Sequence, residues 1–444
     1  MNNWPEDFLQ RMKEVFGNEY NDFIAGLSEP SPISIRKNPF KQSGKFLEEE
    51  SIPWSSEGVY LKERPSFTLD PLFHAGSYYV QEAGSQFLEQ LFLQAKAEFD
   101  EPIVLDLCAA PGGKSTHLLS LMNNAGLLVS NEIISSRNKI LQQNISKWGC
   151  VNSIVIQNST EHFSRLPEFF DIIVVDAPCS GEGLFRRDPE AANEWSLTAV
   201  DNCAIRQRSI LSDIQNSLKP GGFLIYSTCT YEPSENQSQI NQLVNDFGYT
   251  LCNDVHADYG IVQSEVGYHF YPYKVRSEGF FVSMLRKPFS DNGHHLREEK
   301  IRNSDKSAIQ ILQKYFENAE DLLPFIKDDR VYALPKKFYT HFFLLNKNLF
   351  IRQAGIFAGT IKGKDFLPSQ ELALANSLKK EFPVVDVDLQ TALTFLRCDL
   401  ISLPDSKLGW TLISFEGFIL GWVKVLDRRV NNYYPKEWRI FKKE

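Results

Sequence analysis

Paired cysteines at metal-binding spacing, long apolar runs and phosphate-binding glycine loops are all missing from this 444-residue chain. Its seven cysteines (Cys108, Cys150, Cys179, Cys203, Cys229, Cys252 and Cys398) are odd in number and scattered. That excludes a disulfide framework, suggests no metal site, and reads as a reduced, cytoplasmic protein. No stretch of 18 consecutive apolar residues occurs, so no helical membrane span is expected. The opening Met1-Asn2-Asn3-Trp4-Pro5-Glu6-Asp7 has no basic region followed by an apolar run, so no secretory signal is expected there. Internal repeats and low-complexity tracts are absent too. Hydrophobic residues at 43% and charged residues at 23% are ordinary globular values, and the length predicts two or three domains.

Basic charge is scarce overall. The net charge of −9 argues against indiscriminate nucleic-acid binding. Its distribution is uneven: residues 300–444 hold 23 Lys and Arg against 17 Asp and Glu, leaving 24 against 39 in the rest. From Lys424 onward Arg428, Arg429, Lys436, Arg439, Lys442 and Lys443 are interleaved with Tyr433, Tyr434 and Trp438. Such a segment is either an RNA footprint or a solvated face.

Periodicity divides the chain. The first 35 residues suggest helix, with Phe8, Met12, Val15 and Phe16 at spacings of three and four. Residues 31–80, rich in Pro, Gly and Ser, predict short strands and loops, and Gln81–Glu98 predicts a helix. From residue 102, apolar runs (Ile103–Leu107, Leu127–Ser130, Ile154–Ile156, Ile172–Val175, Phe223–Tyr226) alternate with amphipathic stretches such as Asn138–Trp148 and Ala199–Leu218. This predicts an α/β domain with a mostly parallel, Rossmann-like sheet. Beyond a polar boundary at 288–299, helices are predicted at Ser369–Lys380 and Leu389–Arg397. A hairpin is predicted where Glu416-Gly417 separates Leu412–Phe415 from Phe418–Val425. The expected organisation is an α+β extension (1–98), a catalytic domain (99–290), a central mixed domain or linker (300–365) and a small β-rich domain (366–444).

Ile103–Thr116 reads as strand, small-residue loop and helix start. Ligands bind at the carboxyl ends of strands in such sheets, and small residues let a backbone approach closely. A P-loop requires G-x-x-x-x-G-K-[ST]; Gly113-Lys114-Ser115 matches its end, but Cys108 stands at the first glycine. A dinucleotide loop requires G-x-G-x-x-G, which Ala109-Ala110-Pro111-Gly112-Gly113 does not supply. S-adenosylmethionine needs close backbone approach and a carboxylate for its ribose. Glu132, just after the second strand, is placed for that role.

Four stretches carry a resemblance: Asp106-Leu107-Cys108-Ala109-Ala110-Pro111-Gly112-Gly113-Lys114, Asp176-Ala177-Pro178-Cys179-Ser180-Gly181-Glu182-Gly183, Tyr226-Ser227-Thr228-Cys229-Thr230 and Ser277-Glu278-Gly279-Phe280-Phe281. They are similar to the Fmu/Sun-type RNA (cytosine-5) methyltransferases, in particular the bacterial RsmF (YebU)-like branch that modifies small-subunit ribosomal RNA. Ser34–Pro39 and Tyr78–Glu82 resemble that family's N-terminal RNA-binding extension. Leu420–Trp422 and Asn431–Lys436 resemble its C-terminal, PUA-like RNA-binding module. The likeness implies that Cys108, Ala109, Ala110, Pro111, Gly112, Gly113 and Lys114 line an S-adenosyl-L-methionine pocket, with Glu132 on the ribose and Arg137 nearby. Asp176 also borders the cofactor. One departure is Gln157-Asn158-Ser159-Thr160 where the family has an acidic residue, leaving Asn158 or Ser159 to meet the adenine amine.

Cytosine C5 is a poor nucleophile until a thiolate adds at C6. A base must then remove the C5 proton before the thiol can leave. Cys179 and Cys229 follow neighbouring strand ends beside the cofactor loop, whereas the other five cysteines read as inert buried thiols. Position alone does not say which one attacks. DNA cytosine methyltransferases use the Pro-Cys cysteine, which would select Cys179. The resemblance to the RNA family selects Cys229, with Cys179 assisting release and Asp176 hydrogen-bonding N3. Lys114 is a candidate cation for lowering the thiol's pKa from its usual value of about 8.5. Arg186 and Arg187 either hold phosphates flanking an extruded base or belong to a solvated loop.

The expected partner is RNA, as ribosomal RNA or the small ribosomal subunit, and a monomer is the default state. Transfer RNA is an alternative substrate. A non-catalytic ribosome-assembly protein is a rival from another class, which the intact Asp176, Cys179 and Cys229 oppose. An adenine amino-methylating enzyme would carry Pro-Pro-aromatic where Ala177-Pro178-Cys179 stands.

Overall fold

The computed structural model describes residues 4–290, 299, 305–404 and 406–442. Two helices, Glu6–Phe16 and Tyr20–Ser28, open it. The spacing of Phe8, Met12 and Phe16 turns one stripe inward, onto Phe185, Trp195 and Tyr231 of the catalytic region. The helical start thus breaks at Gly17, whose φ of +51° ends the first helix, and β structure begins at Ile33.

Strands β1 (Ile33–Lys37), β2 (Glu50–Ser51), β3 (Gly58–Leu61) and β4 (Tyr78–Val80) form an antiparallel sheet in the order β2-β3-β1-β4. Arg36 on β1 is fully buried and fastens this sheet to the catalytic domain. Its guanidinium donates to Gln81 Oε1 at 2.8 Å and Thr116 Oγ1 at 2.7 Å, and lies 4.6 Å over the Trp148 ring. The helix predicted from Gln81 starts only at Leu88, because Glu82 takes the N–H groups of Gly84 and Ser85 into a tighter turn.

The catalytic sheet contains the five expected parallel strands: β5 (Ile103–Asp106), β6 (Leu127–Asn131), β7 (Ser153–Ile156), β8 (Phe170–Asp176) and β9 (Leu218–Thr228). Beyond β9 come antiparallel β10 (Thr250–Leu251), β11 (Val262–Gln263), β12 (Tyr268–Phe270) and β13 (Phe280–Arg286), with β13 beside β9. The parallel strands run β9-β8-β5-β6-β7, so the chain reverses its direction of winding between β5 and β8. That switch point opens a crevice at the strands' carboxyl ends. Apolar residues cover both faces of the sheet, as continuous apolar runs require. The helix predicted at Ala199–Leu218 is shorter, Leu197–Asp213, and Leu218 instead opens β9 after a turn.

After β14 (Leu322–Lys327) and β15 (Arg330–Pro335), strand β16 (Ile351–Ala354) leaves the central module and pairs antiparallel with β7 on the catalytic sheet. β17 (Ile356–Lys362) and β18 (Asp365–Pro368) then complete the module, so β18 lies across the expected division at 365/366. The last sheet joins β19 (Val384–Asp386), β20 (Gly409–Phe415), β21 (Phe418–Leu426) and β22 (Arg429–Asn432). Glu416 and Gly417, at φ of +51° and +80°, form the expected hairpin turn.

Two expectations for this half need correction. The helix predicted at Ser369–Lys380 spans only Gln370–Leu374. Asn376 leaves it to bond Gly149 O at 2.9 Å and Trp148 O at 3.1 Å on the catalytic domain. The aromatics of the basic segment are not a free stacking platform. Tyr434 is 4% exposed within the module's core, and Trp438 packs against Tyr434 and the Lys147 ammonium. Lys443 lies outside the described residues. Among the described residues, no helix is long and apolar enough to cross a membrane, and no His, Cys, Asp and Glu cluster could hold a metal ion.

Candidate active site

The crevice between β5 and β8 gathers the residues singled out by type. After β5, the loop crosses a cis Ala110–Pro111 bond and Gly112 at φ +114°, then enters the helix Gly113–Met122. A side chain at Gly112 would be strained there and would crowd Leu141, so glycine keeps the loop tight. Asp106, at the end of β5, is wholly buried. Its Oδ2 accepts from Ser115 Oγ at 2.6 Å, while its Oδ1 has no partner. Burial pushes this carboxyl up to about 7.

Glu132 follows β6 and is 4% exposed. Its Oε1 accepts from Ile134 N at 2.8 Å, and its Oε2 lies 3.5 Å from Arg137 Nη1. Arg137 also donates to Ala110 O at 2.9 Å, tying the acidic residue to the small-residue loop. The donor set fits a nucleoside that carries an amino acid through a sulfonium: a buried carboxylate at each of two strand ends, a tight backbone loop between them, and two open aliphatic side chains, Ile133 (55% exposed) and Ile134 (48%), beside Glu132. Those isoleucines were missed at the sequence level because an apolar pair beginning a helix reads as core.

The adenine contact expected at Asn158 or Ser159 is not prepared. Asn158 uses its amide on the central module, accepting from Phe350 N at 3.0 Å and donating to Phe350 O at 3.3 Å. Ser159 donates to Glu161 Oε1 at 3.0 Å.

On the other side of the switch point, Asp176 ends β8 and receives the Lys114 ammonium at 2.8 Å and the Ser227 hydroxyl at 2.8 Å. Lys114 also lies 5.1 Å over the Phe280 ring, so its charge rests on Asp176 and an aromatic face. Cys179 and Cys229 follow the tips of the adjacent strands β8 and β9, and their sulfurs are 3.1 Å apart. The hydrogen bond to Cys229, reinforced by burial, holds the Cys179 thiol well above the ordinary thiol range. At that separation either sulfur can donate to the other. The Cys179 sulfur also accepts from Cys229 N at 3.3 Å.

The remaining thiols are all raised above the ordinary thiol range. Burial, with Asp106, Asp176 and Glu132 adding to it, holds Cys108 well above its usual range; burial pushes Cys150 up to about 12 and Cys203 up to about 11, and raises Cys252 and Cys398. Arg186 is structural, because it donates to the carbonyls of Glu29, Pro30 and Ser277. Arg187 remains half-exposed and lies 3.3 Å from Glu278.

A switch-point loop flanked by two acidic strand ends, beside a thiol pair and an Asp–Lys pair, is the site of a methyltransferase that uses S-adenosylmethionine. Three family models match the chain: 16S rRNA methyltransferase RsmB/F over residues 93–286, the N-terminal domain of 16S rRNA methyltransferase RsmF over 4–83, and the methyltransferase RsmF PUA domain over 382–440. The chain is 32% identical over 466 residues to ribosomal RNA small subunit methyltransferase F of Aeromonas salmonicida, covering 98% of this chain and 96% of that one. It is 30% identical to the protein of the same name from Vibrio vulnificus, with 98% and 97% covered. A crystal structure of a methyltransferase homologue from Pyrococcus horikoshii superimposes with a TM-score of 0.55 at 29% identity, over 64% of this chain and 96% of that one. The chain belongs to the RsmF family of ribosomal RNA small-subunit methyltransferases.

Proposed function

We propose that this protein forms 5-methylcytosine in small-subunit ribosomal RNA through a covalent bond between Cys229 and C6 of the target base. The observation that carries the reading is the 3.1 Å sulfur pair at the tips of β8 and β9, beside Asp176 and Lys114. Only one thiol of such a pair can readily ionise. With Cys179 Sγ 3.1 Å from Cys229 Sγ, an S–H on Cys179 is placed to hydrogen-bond a Cys229 thiolate, the nucleophilic form.

With a base extruded into the crevice, the Cys229 sulfur bonds to C6 and the C5–C6 π pair becomes available at C5. Asp176, in its protonated form with the Lys114 ammonium at 2.8 Å as the source of that proton, donates to the ring at N3 and stabilises the adduct. S-adenosylmethionine, when bound, supplies the methyl group that C5 takes up. Asp106, Glu132 and the Cys108–Gly113 loop would hold it, with Ile133 and Ile134 offering an apolar rim. A base then removes the C5 proton, the C5=C6 bond re-forms and the C6–S bond breaks. Cys179 assists this last step by offering its S–H to the departing Cys229 thiolate.

The N-terminal sheet and the C-terminal module would hold the RNA on either side of this site. Seven free thiols support a reducing compartment, the cytoplasm. The test is transfer of labelled methyl from S-adenosylmethionine to unmodified small-subunit RNA, followed by bisulfite mapping. Label at a bisulfite-resistant cytosine is the expected result. No transfer to RNA or subunits would favour a non-catalytic assembly role.

A further inference from the structure

The two residues flanking Cys179 are held by a polar cluster that no step above uses. Ser180 donates its backbone N–H to Glu235 Oε2 at 3.1 Å, and its hydroxyl contacts Glu235 Oε1. Gln207, wholly buried on the helix Leu197–Asp213, donates one amide to Glu235 Oε2 at 2.7 Å and to Pro178 O at 3.0 Å. Glu235 itself is wholly buried, and its backbone carbonyl accepts from Tyr226 OH at 2.7 Å on β9. The Pro178–Ser180 segment is thus pinned at both ends to a carboxylate six residues beyond Cys229.

The cluster is costly to maintain. Glu182 is also wholly buried; its Oε1 takes the Ser180 hydroxyl at 2.8 Å and Trp195 Nε1 at 2.6 Å, while its Oε2 has no partner. One serine proton therefore faces two carboxyls, and burial followed by Glu182 pushes Glu235 up to about 7. Burial and like charge both disfavour ionising two neighbouring carboxyls, so packing alone does not account for the pair. What it does supply is a fixed place for Cys179, whose sulfur lies 3.1 Å from Cys229 Sγ.

We infer that Glu235, with Gln207, is a positioning residue that holds the Pro178–Ser180 segment so that Cys179 donates to Cys229. This rests on the assignment of Cys229 as nucleophile and Cys179 as its donor. The titratable groups facing the thiol pair are Glu235 and Tyr231 from the loop after β9, Tyr226 on β9 and Cys203 on the helix Leu197–Asp213, with Glu182 from the turn after Cys179 acting on Glu235.

The test follows Cys229 alkylation by iodoacetamide in the full-length protein, by peptide mass spectrometry across pH 6–10, in wild type, Cys179→Ala, Glu235→Gln and Gln207→Met. In Cys179→Ala and Glu235→Gln the alkylation profile should move to higher pH, with a rate at pH 7 about tenfold lower, the loss of thiolate that one pKa unit represents. Both variants should also retain more covalently bound RNA after one round of methylation than wild type. An unmoved profile in Cys179→Ala, with no retained RNA, overturns the thiol assignment itself. A moved profile in Cys179→Ala but not in Glu235→Gln overturns the positioning role alone. Should Glu235→Gln melt out, Gln207→Met, which cuts the same clamp from the helix side, is expected to show the shift, and its absence there is equally decisive.

Discussion

The carboxyl edge of the catalytic sheet and the C-terminal module were both marked in the sequence by chemically expressive residues, yet only the first leaves them unspent on a core. At the sheet edge, Asp176, Cys179 and Cys229 converge because each follows a buried strand whose position is set by an apolar run. Side chains just past a strand tip have no packing duty, so their chemistry is available. In the C-terminal module, the tyrosines and tryptophan among the basic residues lie on or beside strands that must fill a small core. Tyr434 is spent on packing, Tyr433 sits edge-on against Trp410, and Trp438 packs against Tyr434 and the Lys147 ammonium. Residue type predicts function best where the fold leaves a side chain idle.

That difference can be pressed hardest at Asp176. Asp176→Asn keeps the shape but removes the charge that Lys114 meets, and kcat should fall by about 10² to 10⁴, the usual worth of a positioned acid or base. A loss below fivefold in a methyl-transfer assay would take Asp176 out of the chemistry. In the C-terminal module the matching change, Tyr434→Ala, should act on folding instead. It is expected to destabilise by about 3 kcal/mol in denaturant unfolding, as loss of a buried aromatic does, while the folded variant binds RNA as wild type does. Weakened RNA binding without destabilisation would restore Tyr434 as a stacking residue.

Smaller effects separate the two sides of the crevice. Glu132→Ala should raise the Kd for S-adenosylmethionine about tenfold or more by calorimetry, the worth of a hydrogen bond to a charged group, and leave Cys229 alkylation untouched. The smallest effect is a pH slope. Burial holds Asp106 up at about 7, so the folded protein keeps a proton that the unfolded chain, titrating near pH 4, has released. The stabilisation from this group is full below about pH 4 and is lost as pH rises through about 7. The melting temperature should therefore drop between pH 5 and 8 more in wild type than in Asp106→Asn; equal drops would show that Asp106 does not titrate there.

Much of the catalytic sheet was legible because parallel strands buried on both faces leave unmistakable apolar runs, and the loop after β5 excluded rival ligands by its glycine spacing. Contacts made across domains were not legible. Nothing in the run Phe350–Ala354 says that it will leave its own module to extend the catalytic sheet at β7. Asn158 stands where an acidic residue was expected, and its partner, the Phe350 backbone, is 192 residues away. The Glu235–Gln207–Ser180 cluster was equally hidden, because Gln207 reaches it from a helix whose pattern reads only as amphipathic. Arg186 illustrates the opposite error, since an arginine beside a catalytic loop invites a phosphate and instead ties three carbonyls.

The central claim is that Cys229 bonds to the base and Cys179 helps it leave. Denaturing gel electrophoresis of full-length protein incubated with S-adenosylmethionine and unmethylated small-subunit RNA tests it in one experiment. Cys179→Ala should migrate as a protein–RNA adduct that disappears when Cys229 is also changed to Ala, and Cys229→Ala alone should show neither adduct nor methyl transfer. An adduct that persists without Cys229, or turnover by Cys229→Ala, contradicts the account.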